Sequence, residues 1–209
     1  MTTRTDIAKF AVWRATAEAP RPDVSFVPPL ERRRLTGVER AALSVAWQVK
    51  TGSELPVVFA SRWGEIGVTL KLMRQFRADG EMSPAGFSAS VHNAAPGAFS
   101  LLTKNHAPYT AIAARDRSLE AGLLETLALR REAIFVYAEE ATPEFYLPDF
   151  GAPQPACAVA LRVAESSGAP FTIDFRHADL PPATFDGLVD FLEGRAPSLA
   201  TADLLIARR

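Results

Sequence analysis

Thr36–Ser61 reads TGVERAALSVAWQVKTGSELPVVFAS. Its opening Thr-Gly-Val-Glu is a capping box: the threonine hydroxyl and the glutamate carboxylate satisfy backbone N–H groups that a helix start leaves without partners. Val38, Ala41, Ala42, Val45, Ala46 and Val49 then recur at helical spacing, and Thr51-Gly52 ends the helix. The buried face is rich in small residues, so the helix is expected to lie close against a sheet or another helix. Pro56–Ser61 is a short continuous apolar run, the pattern of a strand buried on both faces. A helix followed at once by a doubly buried strand is the unit of a layered α/β domain.

The alternation continues downstream. Glu65–Ala78 has helical spacing through Ile66, Leu70, Met73 and Phe76, and Ser83-Pro84 opens the next segment. There Val91, Ala94, Ala95, Ala98, Phe99 and Leu102 share one helix face, with Pro96 perturbing the first turns. Pro108–Ala114 reads as a strand. Ser118 is placed to cap a helix with Leu119, Gly122, Leu123 and Leu127 inward, and Ala133–Ala138 is another strand. Beyond the four-proline surface loop Ala141–Pro155, strands are expected at Ala156–Val163 and Phe171–Phe175, and helices at Phe185–Leu192 and Ala200–Ala207. The first 30 residues show little periodicity until the extended Val24–Leu30. The reading is one α/β domain over residues 1–209. Layered helices cover a mixed sheet, mainly parallel through residue 138 with an antiparallel edge after it.

The 209 residues are 48% apolar and 22% charged, with 23 basic against 24 acidic side chains. Such a chain buries a sufficient core without disulfide or metal. The near-neutral balance lacks the basic footprint of a nucleic-acid binder. No apolar run reaches the ~20 residues of a membrane span, and Met1–Phe10 lacks the apolar core of a secretory signal, so a cytoplasmic protein is expected. No cofactor is implied. His92, His106 and His177 form no metal-binding spacing, and no nucleophile-elbow, phosphate-loop or dinucleotide motif is present. Cys157, in an apolar strand, reads either as a nucleophile paired with a histidine or, more economically, as a small buried hydrophobe. Arg32–Arg34 read as a docking patch for an acidic carrier or as a solvated cluster. His92-Asn93 stands at a helix mouth, where Asn can cap and His can donate.

Six blocks stand in a fixed order: Leu30–Leu35 (LERRRL), Val58–Glu65 (VFASRWGE), Ser83-Pro84, Phe87–Gly97 (FSASVHNAAPG), Ala107–Ala114 (APYTAIAA) and Ser118–Glu125 (SLEAGLLE). Together, from Pro28 to about Leu161, they resemble the β-ketoacyl synthase-like N-terminal family. That family includes the ketosynthase chain length factors of aryl polyene and related pigment or lipid gene clusters. The resemblance implies a thiolase-like fold, N-terminal half only. A complete condensing enzyme has two similar halves, its nucleophilic Cys ending a strand of the first and two catalytic histidines coming from the second. Asn93, Gly97 and Pro108 match positions leading up to the nucleophile. Counting onward without a gap places the nucleophile at Asp116, or at Arg115 with a slip of one, and neither side chain can form an acyl thioester. The chain is expected to be too short for the second half, and His177 has no matching context.

The resemblance therefore implies a non-catalytic subunit, a chain length factor for polyene, polyketide or fatty-acid-like synthesis. Its partners would be a catalytic β-ketoacyl synthase, replaced by a second copy when isolated, and an acyl carrier protein. Pro108, Tyr109, Thr110, Ala111, Ile112 and Ala113 would pair across the dimer axis. Phe87 and Phe99 would limit the acyl tunnel or else fill the core, and Arg32, Arg33 and Arg34 would dock the carrier. The small-residue face Ala41/Val45/Val49 and the helix at Ala94–Leu102 would need cover from outside the matched region. An alternative is a thiolase-fold acyl-thioester hydrolase or acyltransferase using a non-Cys site, with Asp116 as base and His92 nearby. A third reading is a carrier-recruiting module that does not touch the tunnel. Residues 168–209 carry no match, and Phe185–Leu192 is a candidate cover for the open face.

Overall fold

The structure, a computed structural model, describes residues 5–150, 153–165, 168, 170–175 and 178–208; His177 lies outside them. Strands Thr5–Arg14 (β1), Val57–Ala60 (β2), Tyr109–Ile112 (β3), Ala133–Glu139 (β4), Cys157–Glu165 (β5), Phe171–Phe175 (β6), Ser198–Ala200 (β7) and Leu204–Arg208 (β8) form one mixed sheet. Their order is β3-β2-β4-β5-β1-β6-β8-β7. The helices are Pro29–Arg32 (α1), Gly37–Val49 (α2), Ile66–Asp79 (α3), Pro84–Ala89 (α4), Ala94–Thr103 (α5), Ser118–Ala128 (α6), Leu147–Phe150 (α7) and Phe185–Leu192 (α8).

Period-two alternation along the central strands builds two cores. Ile134, Val136 and Ala138 of β4, with Ala158 and Ala160 of β5, face α2 and α5. Phe135 of β4, with Val159, Leu161 and Val163 of β5, faces α6 and α8. Alanines on the first face let α2 approach closely, and its capping box forms as expected: Glu39 N donates to Thr36 Oγ1 at 3.0 Å and Thr36 N to Glu39 Oε2 at 2.7 Å. On the opposite face, Gly122 of α6 has no room for a side chain. A Cβ there would meet Ala60 Cβ and Phe135 Cε2, each at 2.6 Å.

Several sequence expectations change. The sheet is mixed, but among the described residues parallel pairing is confined to β3-β2-β4, and the other five pairings are antiparallel. The cause is β1, which enters between β5 and β6; a register irregularity between Ile7 and Lys9 breaks its alternation and hides it in the sequence. Ala200–Ala207 is not helical: Thr201–Leu204 turns β7 into β8, which pairs with β6. Ser118 does not cap α6. Its hydroxyl accepts from Ala114 N at 2.8 Å and donates to Arg115 O at 2.7 Å, closing the preceding turn. Asn93 takes the N-cap position of α5 without a side-chain bond.

Nor does the Ala41/Val45/Val49 face await a partner, because the sheet and α5 bury it. Residues 168–208 extend the sheet, and α8 covers the second face through Leu188, Phe191 and Leu192. The exposed apolar surface lies elsewhere. Helix α3 ends on Gly80 (φ +72°) and packs chiefly on α4, and the two leave Met73, Phe76 and Phe87 in solvent. Among the described residues no helix is long and apolar enough to cross a membrane.

Candidate functional site

Strands β2, β3 and β4 run parallel, so the loops following all three emerge at one end of the sheet, the usual place for a site in such a layer. Because β5 is antiparallel to β4, its first residue Cys157 pairs with the last of β4, Glu139, at that same end. These loops and the start of α8 enclose a cleft of about 430 Å³.

The hub of the cleft is Glu139, a buried carboxylate. It accepts Ser61 Oγ at 3.0 Å and the backbone N–H of Arg62, with further bonds from Trp63 N–H and the Tyr137 hydroxyl. Burial outweighs these bonds and pushes Glu139 up to about 7. The neighbouring Cys157 is also buried, and burial together with the Glu139 carboxylate pushes its thiol up to about 12. A thiol so placed is protonated at neutral pH and a poor nucleophile. Behind Glu139, Glu140 accepts Gly67 N–H, and Glu65 accepts Thr36 Oγ1 at 2.8 Å. Burial, reinforced by Glu39 and Glu140, pushes Glu65 up to about 8.

Arg115 and Asp116 stand at the mouth of the cleft, in the turn between β3 and α6. Arg115 has φ +53°, in the left-handed region, and Asp116 pairs with Arg62 at 2.8 Å. His92 is engaged elsewhere: its Nε2 bonds the Ser61 carbonyl at 3.0 Å, its ring lies 5.7 Å from that of Phe59, and it does not line the cleft. The structure therefore does not assemble an Asp116–His92 acid–base pair. Among the described residues no group of three or more His, Cys, Asp or Glu side chains is placed to hold a metal ion.

The other sequence-marked residues disperse. Strand β3, within Pro108–Ala113, is an open edge of the sheet; among the described residues it pairs only with β2, and Tyr109 and Thr110 are exposed. Phe87 is 59% exposed on α4, whereas Phe99 is 4% exposed and packs in the core beneath α2. Arg33 and Arg34 are exposed before α2; Arg32 is half-buried, and its carbonyl accepts Arg40 Nη2. Ser61, Tyr137, Glu139 and Glu140 were not marked by sequence reasoning. For the last three the one sequence signal is a doubly buried strand, AIFVYAEE, that ends in two carboxylates; Ser61 merely ends the apolar run Pro56–Ser61.

Residues 8–184 match the family model described as β-ketoacyl synthase, N-terminal domain. The chain belongs to that family. The match takes in β1, well upstream of the sequence blocks. Among solved structures, a chain of the ketosynthase (ApeO) in complex with its chain length factor (ApeC) from Xenorhabdus doucetiae superposes with TM-score 0.78 at 22% identity, covering 100% of both chains. The ishigamide ketosynthase/chain length factor gives 0.63 at 13% identity, over 92% of this chain and 72% of that one. A type II polyketide synthase acyl-carrier protein in complex with its ketosynthase bound to the hexaketide (AntDE:AntF) gives 0.59 at 13%, over 83% and 69%. These likenesses establish the thiolase-like fold, in its N-terminal half. A search of curated proteins finds no match.

Proposed function

We propose that this β-ketoacyl synthase-family chain is a non-catalytic, chain-length-factor-type subunit that pairs with an active ketosynthase in polyene, polyketide or fatty-acid-like synthesis. The observation that carries the reading is the turn after β3. Where the family resemblance requires a nucleophilic cysteine, the chain has Arg115-Asp116, with Asp116 tied to Arg62. Its single cysteine, Cys157, is buried and protonated. Neither group can carry an acyl chain at neutral pH. The open β3 edge, Pro108–Ala113, supports the pairing, since an unpaired strand edge is closed by another strand in a stable assembly. The likeness to chains from ketosynthase/chain length factor complexes points the same way.

In this reading the exposed Phe87 reaches the partner's acyl tunnel and limits its length by bulk, while Phe99 serves its own core. Arg32–Arg34 attract the acidic surface of an acyl carrier protein. The assembly works in the cytoplasm, and isolated chains pair with themselves.

Co-expression with a ketosynthase, light scattering of the purified material and a condensation assay test the proposal. A stable 1:1 complex is expected, with activity needing both chains and indifferent to Cys157→Ala. Thr110→Lys on β3 should weaken assembly, both with the ketosynthase and between isolated copies, and leave the circular dichroism of the chain unchanged. A lone monomer that turns over acyl thioesters overturns it.

A further inference from the structure

Two guanidinium groups enter the cleft stacked on aromatic rings. Arg62 lies 4.6 Å from the Trp63 ring centroid and Arg14 lies 5.0 Å from that of Phe185, and all four residues line the cavity. Each arginine also pairs with an aspartate, Asp116 for Arg62 and Asp186 for Arg14. Those aspartate side chains are 68% and 65% exposed, so they reach the arginines from the solvent side. Arg115, a third guanidinium on the wall, makes no ion pair among the described residues. Near Arg62 the wall offers the flat or apolar Tyr137, Leu119 and Pro155, and beside them the carboxyls of Glu139, whose value burial pushes up to about 7, and Glu140.

We propose that this cleft binds a small aromatic carboxylate, its carboxylate on Arg62 in place of Asp116 and its ring between Trp63 and Tyr137. A planar guanidinium matches a carboxylate in two parallel hydrogen bonds, which a neutral thioester cannot provide. Displacing Asp116 costs little, because solvent-exposed ion pairs contribute little. Arg115 adds a third guanidinium at the mouth, and the stacked rings favour a flat body over a puckered one. A volume of about 430 Å³ lies within the range of small-molecule pockets. The inference does not rest on pairing with a ketosynthase, since every residue in it belongs to this chain.

Calorimetric titration of the purified full chain with benzoate tests it, with benzamide (flat, uncharged) and cyclohexanecarboxylate (charged, puckered) alongside. Benzoate is expected to bind saturably, about tenfold or more tighter than either comparison, as loss of a charge-assisted hydrogen bond or a ring contact implies. Asp116→Asn, an exposed change that leaves the fold intact, should tighten benzoate about two- to fivefold by vacating Arg62. Arg62→Met, with its fold checked by circular dichroism, should weaken it about tenfold or more. Absence of saturable benzoate binding, equal affinity for all three probes, or weaker binding in Asp116→Asn overturns the proposal.

Discussion

Replacing Glu139 by glutamine probes the cleft at its hub. The carboxyl is buried, and its folded-state value rises from the ordinary 4.5 to about 7 because burial disfavours the charged form. Between those values the unfolded chain releases a proton that the folded chain keeps, so stability falls as pH rises. The contribution is fully present below about 4.5 and is lost once pH passes about 7. A shift of two to three pH units at ~1.4 kcal/mol each amounts to about 3 kcal/mol, of which the interval from pH 5 to pH 8 captures about 2–3 kcal/mol. Glutamine keeps the shape, loses the titration and turns an N–H₂ toward donors at Ser61 and Arg62, which lowers stability at pH 5 by about 1–3 kcal/mol. Urea unfolding of both proteins at the two pH values reads the difference. The stability gap seen at pH 5 should shrink by about 2–3 kcal/mol at pH 8 and can reverse sign. Parallel movement of the two midpoints would refute the reasoning, because a carboxyl that titrates alike in both states is not held as described.

Three further changes test neighbouring parts of the fold. Gly122→Ala should destabilise the chain by about 1–3 kcal/mol in a thermal melt, despite the ~1 kcal/mol that alanine adds to helix propensity, because its Cβ strikes Ala60 and Phe135 at 2.6 Å. Thr36→Ala removes the cap of α2 and the hydroxyl on buried Glu65 together, for an expected loss of about 2–3 kcal/mol in urea unfolding. Cys157 should resist iodoacetamide in the native chain at pH 7.5 and react after unfolding. A thiol introduced by Asp116→Cys should be alkylated in the native state, since that position is exposed at a helix start.

Elements whose pattern is local were legible in the sequence. Helix α2 carries its cap, its periodicity and its stop within Thr36–Gly52, and β2, β4 and β6 are short apolar runs that no helix of ordinary length could use. Strand β1 was not legible: the irregularity at Ile7/Lys9 shifts its alternation, and its burial comes from β5 and β6, more than 140 residues away in sequence. Ala200–Ala207 is rich in helix-favouring alanine and leucine, but pairing of β8 with β6 and β7 overrides that preference. The site divides along the same line. Arg115-Asp116 follows from counting along a family pattern. Glu139 does not, because the end of a strand is an ordinary place for a solvated glutamate. Here the Ser61–Gly64 loop returns across the buried carboxyl and donates to it.

The turn after β3 is fixed from both sides, by its own hydrogen bonds and by an ion pair to the loop after β2. Arg115 occupies a left-handed conformation that costs a non-glycine residue about 1–2 kcal/mol. Two hydrogen bonds through Ser118 hold it there. Asp116 then meets Arg62 from the end of β2, so an ion pair links two loops of the cleft. The strained backbone at Arg115 is thus held by local hydrogen bonds, while the neighbouring Asp116 ties the turn across the mouth of the cleft.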